Sequence, residues 1–216
     1  MKTIMGTLLL CGWLVALAVA GEDTPRPTTD DAVLAARLEF IKSFKHAGLD
    51  STADDAKLLR ILVEGAKYKR GVEVGSFKGF GAVNMGMAFE KNGGQLFTLE
   101  IDPQIAEECR GNLKKVWLDK TVTVVVGDAL QTLPKLEGEF DFVFIDARKE
   151  DYMKYLKAIE PKLKPGAMVV ADNTIQSAKQ MKDFLDYLTT SPDYDAVTVR
   201  ASMEKRDGMT IAYKVR

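Results

Sequence analysis

Four residues stand out for the chemistry their types allow. Asp146 closes one apolar run, Lys149 follows it by three residues, and Asp172 and Asn173 close the next apolar run. Two carboxylates and an amide oxygen at neighbouring strand ends make a hard-oxygen set. It would suit Mg²⁺, Mn²⁺ or Ca²⁺, with positions left for water or substrate. Each acid taken singly could instead cap the helix behind it. A lysine beside a dication gives up its proton more readily than a solvated one, because like charge disfavours the ammonium form. Lys149 could therefore serve as a general base. The other reading is a solvated surface lysine, like Lys154, Lys157 and Lys162.

Earlier in the chain, Glu73-Val-Gly75-Ser-Phe-Lys-Gly79-Phe-Gly81 lies between a strand and a helix. Glycines there let the backbone approach a ligand and leave helix N-terminal N–H groups free for a carboxylate or phosphate. They could equally serve tight packing. The spacing is G-x-x-x-G-x-G rather than the G-x-G-x-x-G of dinucleotide binders. Glu100 ends the second strand, where an acid in a Rossmann-like unit holds ribose hydroxyls. Asp102 reads as a helix cap. Asp128 and Ala129 follow the third strand, where an adenine edge could lie, although Asp128 could also cap a short helix. Together these strand ends point to a nucleoside ligand.

Composition narrows the classes. A chain of 216 residues with 46% hydrophobic content has room for one full core or two small ones. Lys+Arg 30 against Asp+Glu 31 exerts no global pull toward nucleic acid or an anionic membrane. Two cysteines exclude a disulfide framework, and the single His46 leaves little room for a Ser/His/Asp triad or a histidine metal site.

The elements that must position these residues follow from periodicity. Residues 1–20 read as an export signal: Lys2, a run of apolar and small residues, then Ala18-Val19-Ala20 before Gly21. An uncleaved anchor is the alternative, since about 17 apolar residues lie at the lower limit for a span. Both place the rest of the chain outside the cytoplasm, either exported or membrane-anchored. Residues 21–28 form a linker, and 29–216 one domain. A first helix starts at Thr29, buries Leu34, Leu38 and Ile41, and stops at Gly48. Thr52-x-x-Asp55 has the form of a capping box and opens a second helix, with Leu58, Leu59, Leu62 and Val63 inward. Strands follow at 71–74, 96–100, 122–126, 140–146 and 168–172. Helices alternate with them at 81–91, after Asp102-Pro103, at 150–162 and at 177–189. Residues 196–201 and 209–215 form an antiparallel pair turning at 204–207. This is an α/β, Rossmann-like, doubly wound sheet, mostly parallel with a C-terminal antiparallel hairpin and helices on both faces.

These phrases resemble the class I S-adenosylmethionine-dependent methyltransferases. The nearer likeness is to the cation-dependent O-methyltransferases, which include the catechol and caffeoyl-CoA enzymes. Val72-Glu-Val-Gly-Ser-Phe-Lys-Gly-Phe-Gly81, Thr98-Leu-Glu-Ile-Asp-Pro103, Val126-Gly-Asp-Ala129, Phe144-Ile-Asp-Ala-Arg-Lys149, Val170-Ala-Asp-Asn173 and Asp207-Gly208 carry the likeness. The resemblance implies a seven-stranded sheet and S-adenosylmethionine as cosubstrate. Glu73, Gly75, Gly79 and Gly81 would border its methionine moiety, Glu100 its ribose, and Asp128 and Ala129 its adenine, with Asp146 nearby. Asp146, Asp172 and Asn173 would hold a divalent cation, Mg²⁺ first. Lys149 would take a phenolic proton from a small ortho-dihydroxy aromatic.

Two positions depart from the family pattern: Gly81 stands where members carry Ser or Thr, and Ala201 where the catechol enzyme has a substrate-contacting Glu. No nucleic-acid partner is expected. A membrane is expected only through residues 4–20, and a homodimer is compatible. The rival of a different class is an exported binding protein that keeps the fold without the chemistry.

Overall fold

The computed structural model describes residues 25–216. The chain runs α1 (Asp30–Ser43), α2 (Ala53–Ala66), β1 (Arg70–Val74), α3 (Phe80–Lys91), β2 (Gln95–Glu100), α4 (Pro103–Lys115) and β3 (Val122–Val126). It continues through α5 (Ala129–Thr132), β4 (Phe140–Ile145), α6 (Tyr152–Ile159), β5 (Leu163–Ala171), α7 (Lys182–Thr190), β6 (Tyr194–Val199) and β7 (Met209–Lys214). The expected leader at 1–20 and the first half of the linker lie outside the described residues. Among those described, no helix is long and apolar enough to cross a membrane.

The seven strands are ordered β3-β2-β1-β4-β5-β7-β6. All pairings are parallel except those of β7, which runs against both β5 and β6. The order reverses between β1 and β4, and ligands of such sheets bind beyond the strand ends at that reversal. Strand β4, Phe-Asp-Phe-Val-Phe-Ile, shows why the runs are apolar without alternation. Val143 and Ile145 enter a core with Tyr152, Leu156 and Phe184 from α6 and α7. Phe142 and Phe144 enter the opposite core with Leu59, Phe89 and Leu113 from α2, α3 and α4. Both faces are covered, so neither tolerates a polar row.

Helix starts follow local chemistry. Thr29 Oγ1 accepts from Ala32 N (3.4 Å), and Asp102 accepts from Gln104 N (2.8 Å) ahead of Pro103. Thr52 Oγ1 accepts from Asp55 N at 3.2 Å, but only this half of the expected capping box forms. The Asp55 carboxylate turns away, toward the sheet edge, where Lys205 Nζ lies 3.6 Å from it.

Tertiary contacts override several expectations. Helix α1 buries Val33 and Arg37, whereas Leu34 and Leu38 are 46% and 44% exposed. Arg37 decides the rotation. Its guanidinium donates to Val116 O (2.9 Å) and Trp117 O (3.3 Å) and pairs with Glu90 (2.6 Å). The helix stops at Ser43 rather than near Gly48, and Phe44 leaves it extended to stack on Phe80 at 4.9 Å. The helix expected at 150–162 shortens to α6 between two tight turns, one of them holding Pro161. Strand β5 starts five residues before the expected Met168. Helix α7 starts at Lys182 rather than 177, because the Asp207 carboxylate accepts from Ile175 N and Gln176 N (both 3.0 Å) and holds that segment in turns. The last two strands are antiparallel as expected, but residues 200–208 join them as a long loop rather than a turn at 204–207.

Candidate active site

Strand ends β1, β2, β4 and β5 open onto one cleft of about 1250 Å³. That exceeds the ~300–1,000 Å³ of a site for a single drug-sized ligand, so it has room for two ligands side by side. Glu73, Gly75, Gly81, Glu100, Asp128, Ala129, Asp146, Lys149, Asp172 and Asn173 all line it, so the structure brings nearly all the expected site residues together. Gly79 alone is not on its wall.

The glycine loop serves geometry more than direct ligand contact. Gly75 has φ +93°, and a Cβ there would lie 2.2 Å from the Asp146 carbonyl oxygen, so only glycine lets the β1 and β4 ends approach this closely. At Gly79 a Cβ would meet Cys109 Sγ at 2.7 Å, which makes it the contact between α3 and α4. The first amides of the loop are engaged, and it is the start of α3 that stays uncapped, as expected of a helix N-terminus open to a ligand. Gly75 N and Ser76 N donate to Leu99 O, and Phe77 N donates to Glu100 Oε2 (2.9 Å). No side chain caps the start of α3. Gly75→Ala is expected to destabilise the fold by roughly 2 kcal/mol or more, from left-handed strain and displacement of Asp146. A urea midpoint unchanged from wild type would contradict this.

Glu73 is 1% exposed and lies at the head of the cleft. Thr98 Oγ1 donates to its Oε2 at 2.5 Å. Its Oε1 would lie 2.6 Å from a Cβ on Gly81, so the glycine makes room for this carboxyl. Burial pushes Glu73 up to about 8, against the pull of the Thr98 hydrogen bond, with Asp146 and Glu100 adding to the rise. Glu100 is oriented by two backbone amides, Phe77 N on Oε2 and Asp102 N on Oε1 (3.1 Å). Asp128 caps α5 through Leu130 N (2.9 Å) and also lines the cleft.

At the β4 and β5 ends, Lys149 Nζ lies 2.8 Å from Asp146 Oδ1 and 2.9 Å from Tyr152 Oη. Tyr152 is fully buried and donates onward to the Asp172 carbonyl (3.1 Å). Burial, then the charges of Asp146 and Asp172, keep its phenol protonated, so its oxygen accepts from Lys149. Asp172 is 1% exposed. Burial and the Asp146 charge push it up to about 6 against the pull of Lys205, whose Nζ lies 2.5 Å from Oδ2. Asn173 has φ +60°, and its amide nitrogen donates to Asp207 Oδ2 (3.2 Å), which leaves the amide oxygen as the acceptor end.

No three His, Cys, Asp or Glu side chains form a ready metal cage among the described residues. The set offered is two carboxylates and one amide oxygen. The buried Asp172 beside the half-buried Asp146 favours a compensating cation, and hard oxygens fit an alkaline-earth-type ion.

Four contributors escaped sequence reading. Tyr152, at i+3 from Lys149, was visible as a spacing. Thr98 and Lys205 carry no site signal, because strand pairing and the β6–β7 loop bring them in, and Asp55 shows in the sequence only as a helix cap. Ala201 is half-buried on that loop, and Glu204 is exposed at the cleft rim. The lone described cysteine, Cys109, is buried, and burial pushes its thiol up to about 12.

Comparison with known proteins agrees with this architecture. Residues 27–190 match the family model described as O-methyltransferase. A catechol O-methyltransferase of Mycobacterium tuberculosis is 34% identical over 81% of this chain and 76% of its own length. One from Niastella koreensis is 34% identical over 76% of this chain and 73% of its own. The O-methyltransferase TomG of Streptomyces achromogenes, solved in complex with SAM, superposes with a TM-score of 0.74 at 26% identity, covering 87% of this chain and 92% of TomG. The chain therefore belongs to the O-methyltransferase family and is an S-adenosylmethionine-dependent O-methyltransferase.

Proposed function

We propose that the enzyme methylates one hydroxyl of a small ortho-dihydroxy aromatic, assisted by a divalent cation, Mg²⁺ by the hardness of the donors. One observation carries this reading: Lys149 Nζ is held on Asp146 in the cleft that also presents Asp172 and the Asn173 amide oxygen. The catechol O-methyltransferase names of two relatives support the acceptor class.

In this reading Glu100 holds the ribose hydroxyls of S-adenosylmethionine, Asp128 and Ala129 border the adenine, and Glu73 and Gly75 face the methionine end. Asp146, Asp172 and Asn173 hold the cation, which when bound acidifies and orients neighbouring phenolic hydroxyls. Lys149, steadied by Asp146 and Tyr152, takes the phenolic proton. The cleft aligns the phenolate with the sulfonium methyl, and proximity supplies much of the rate. Charge is cancelled as the methyl moves, so the apolar walls from Phe80, Leu99 and Ile105 favour the step by excluding water.

The test is isothermal titration with S-adenosylmethionine, with Mg²⁺ and with chelator, followed by turnover of catechol against phenol. Expected are micromolar binding, turnover of catechol only with Mg²⁺, and loss of turnover in Asp146→Ala. Equal turnover of phenol, or full activity in chelator, would refute the acceptor or the cation respectively.

A further inference from the structure

The loop at residues 200–208 brings a second ammonium into the site. Lys205 Nζ lies 2.5 Å from Asp172 Oδ2 and 3.6 Å from Asp55 Oδ2. The other Asp172 oxygen, Oδ1, already accepts from Asn173 N at 2.7 Å. Lys205 therefore sits on the Asp172 oxygen that no backbone amide occupies. Asp55, on the first turn of α2, is 2% exposed, and its Oδ2 is buried with no hydrogen-bond partner. A buried carboxylate oxygen left unpaired is costly, and its nearest remedy is the same ammonium.

We propose that Lys205 is a two-position counter-ion: it competes with the divalent cation for Asp172 and moves onto Asp55 when the cation binds. This rests on the cation reading above and adds to it the residue that sets cation affinity. A shift of under about 1 Å brings Nζ to charge-assisted hydrogen-bond length from Asp55. Rotation of the flexible lysine stem about that new contact then carries the ammonium off Asp172 Oδ2.

The charge balance gives the reason for two positions. Asp55, Asp146 and Asp172 face Lys149 and Lys205, three negative groups against two positive. A dication sharing Asp172 with an ammonium would meet strong repulsion. With Lys205 on Asp55, that ammonium is paired and Oδ2 of Asp172 is released. Because Asp55 belongs to α2 and Lys205 to the β6–β7 loop, cation capture also changes how these two walls of the cleft are tied together. Lys205 is thus a positioning residue acting through Asp172.

The test is titration of the full chain with Mn²⁺ by calorimetry, checked by water-proton relaxation, which reports cation binding without turnover. Lys205→Met should bind Mn²⁺ about tenfold or more tighter, because the competitor is gone. Lys205→Arg, which keeps the competitor, should bind no tighter than wild type. Lys154→Met removes another cleft lysine, one paired with Asp151 at 2.7 Å, and should change affinity by less than about twofold because the Lys154 side chain is exposed to solvent. Asp55→Asn should weaken Mn²⁺ severalfold in wild type and leave it unchanged in Lys205→Met.

Unchanged or weaker binding in Lys205→Met overturns the proposal while leaving the cation reading intact. So does equal tightening in Lys154→Met, which would make the effect one of general charge. An Asp55→Asn loss that persists in Lys205→Met would make Asp55 a direct ligand and also overturn it. No Mn²⁺ binding by wild type or any variant overturns both readings. If Asp55→Asn fails to fold, the three lysine variants decide the matter alone.

Discussion

Lys149→Met is expected to lower kcat for methyl transfer by ~10²- to 10⁴-fold, the usual contribution of a positioned general base. S-adenosylmethionine affinity should stay within about threefold, since the ammonium is committed to Asp146 and Tyr152 rather than to the nucleoside end of the cleft. The informative comparison is Lys149→Arg. Arginine preserves the charge and the pairing with Asp146 but cannot surrender its proton at working pH. If Lys149 acts as the base, both variants lose kcat alike. If it only balances the charge of Asp146, Lys149→Arg retains most of the activity. A pre-formed phenolate bypasses the proton transfer. Raising the pH toward the acceptor's own ionisation should therefore restore turnover in both variants, but not in Asp146→Ala.

The second large effect concerns Glu73. Its carboxyl is pushed by burial up to about 8 in the folded chain, against 4.5 as the ordinary value. Below pH 4.5 both states hold the proton, so this group adds no pH dependence there. Between 4.5 and 8 the unfolded chain releases the proton and the folded chain keeps it, so stability falls as pH rises. The loss summed over that window is on the order of a few kcal/mol. Glu73→Gln keeps the shape and removes the titration, so the difference in stability between wild type and variant should shift steadily across pH 5 to 8. A pH-independent difference would show that the carboxyl is not held neutral.

Ligand binding adds a second readout. The ammonium and sulfonium of S-adenosylmethionine bring positive charge toward this end of the cleft, which favours the carboxylate form. Binding near pH 7 should then release a proton, seen as a dependence of the binding enthalpy on buffer ionisation enthalpy and lost in Glu73→Gln.

The legibility of the site in the sequence follows from how sheets present residues. Glu73, Glu100, Asp128, Asp146, Asp172 and Asn173 were readable because each is fixed by its distance from the end of an apolar run. In a parallel sheet all such ends lie on one edge, so one-dimensional position becomes convergence in space. Apolar runs likewise marked the parallel strands, the inner ones being covered by helices on both faces. Helix starts at Thr29, Thr52 and Asp102 were legible because caps act within one turn.

What the sequence did not contain is pairwise and distant. The face of α1 was misread because Arg37, by type a surface residue, is buried on the carbonyls that follow α4, some 80 positions along the chain. The capping-box reading of Asp55 was half right for the same reason: Lys205, from the far end of the chain, lies where it attracts that carboxylate. By itself the sequence determined the fold class, the sheet edge that opens onto the cleft and which acidic and lysine side chains stand there, because local capping and strand periodicity encode those. Only the tertiary structure decided which cation sits on which carboxylate. Ion pairs between distant segments depend on loop paths and burial, and neither leaves a periodic trace in the chain.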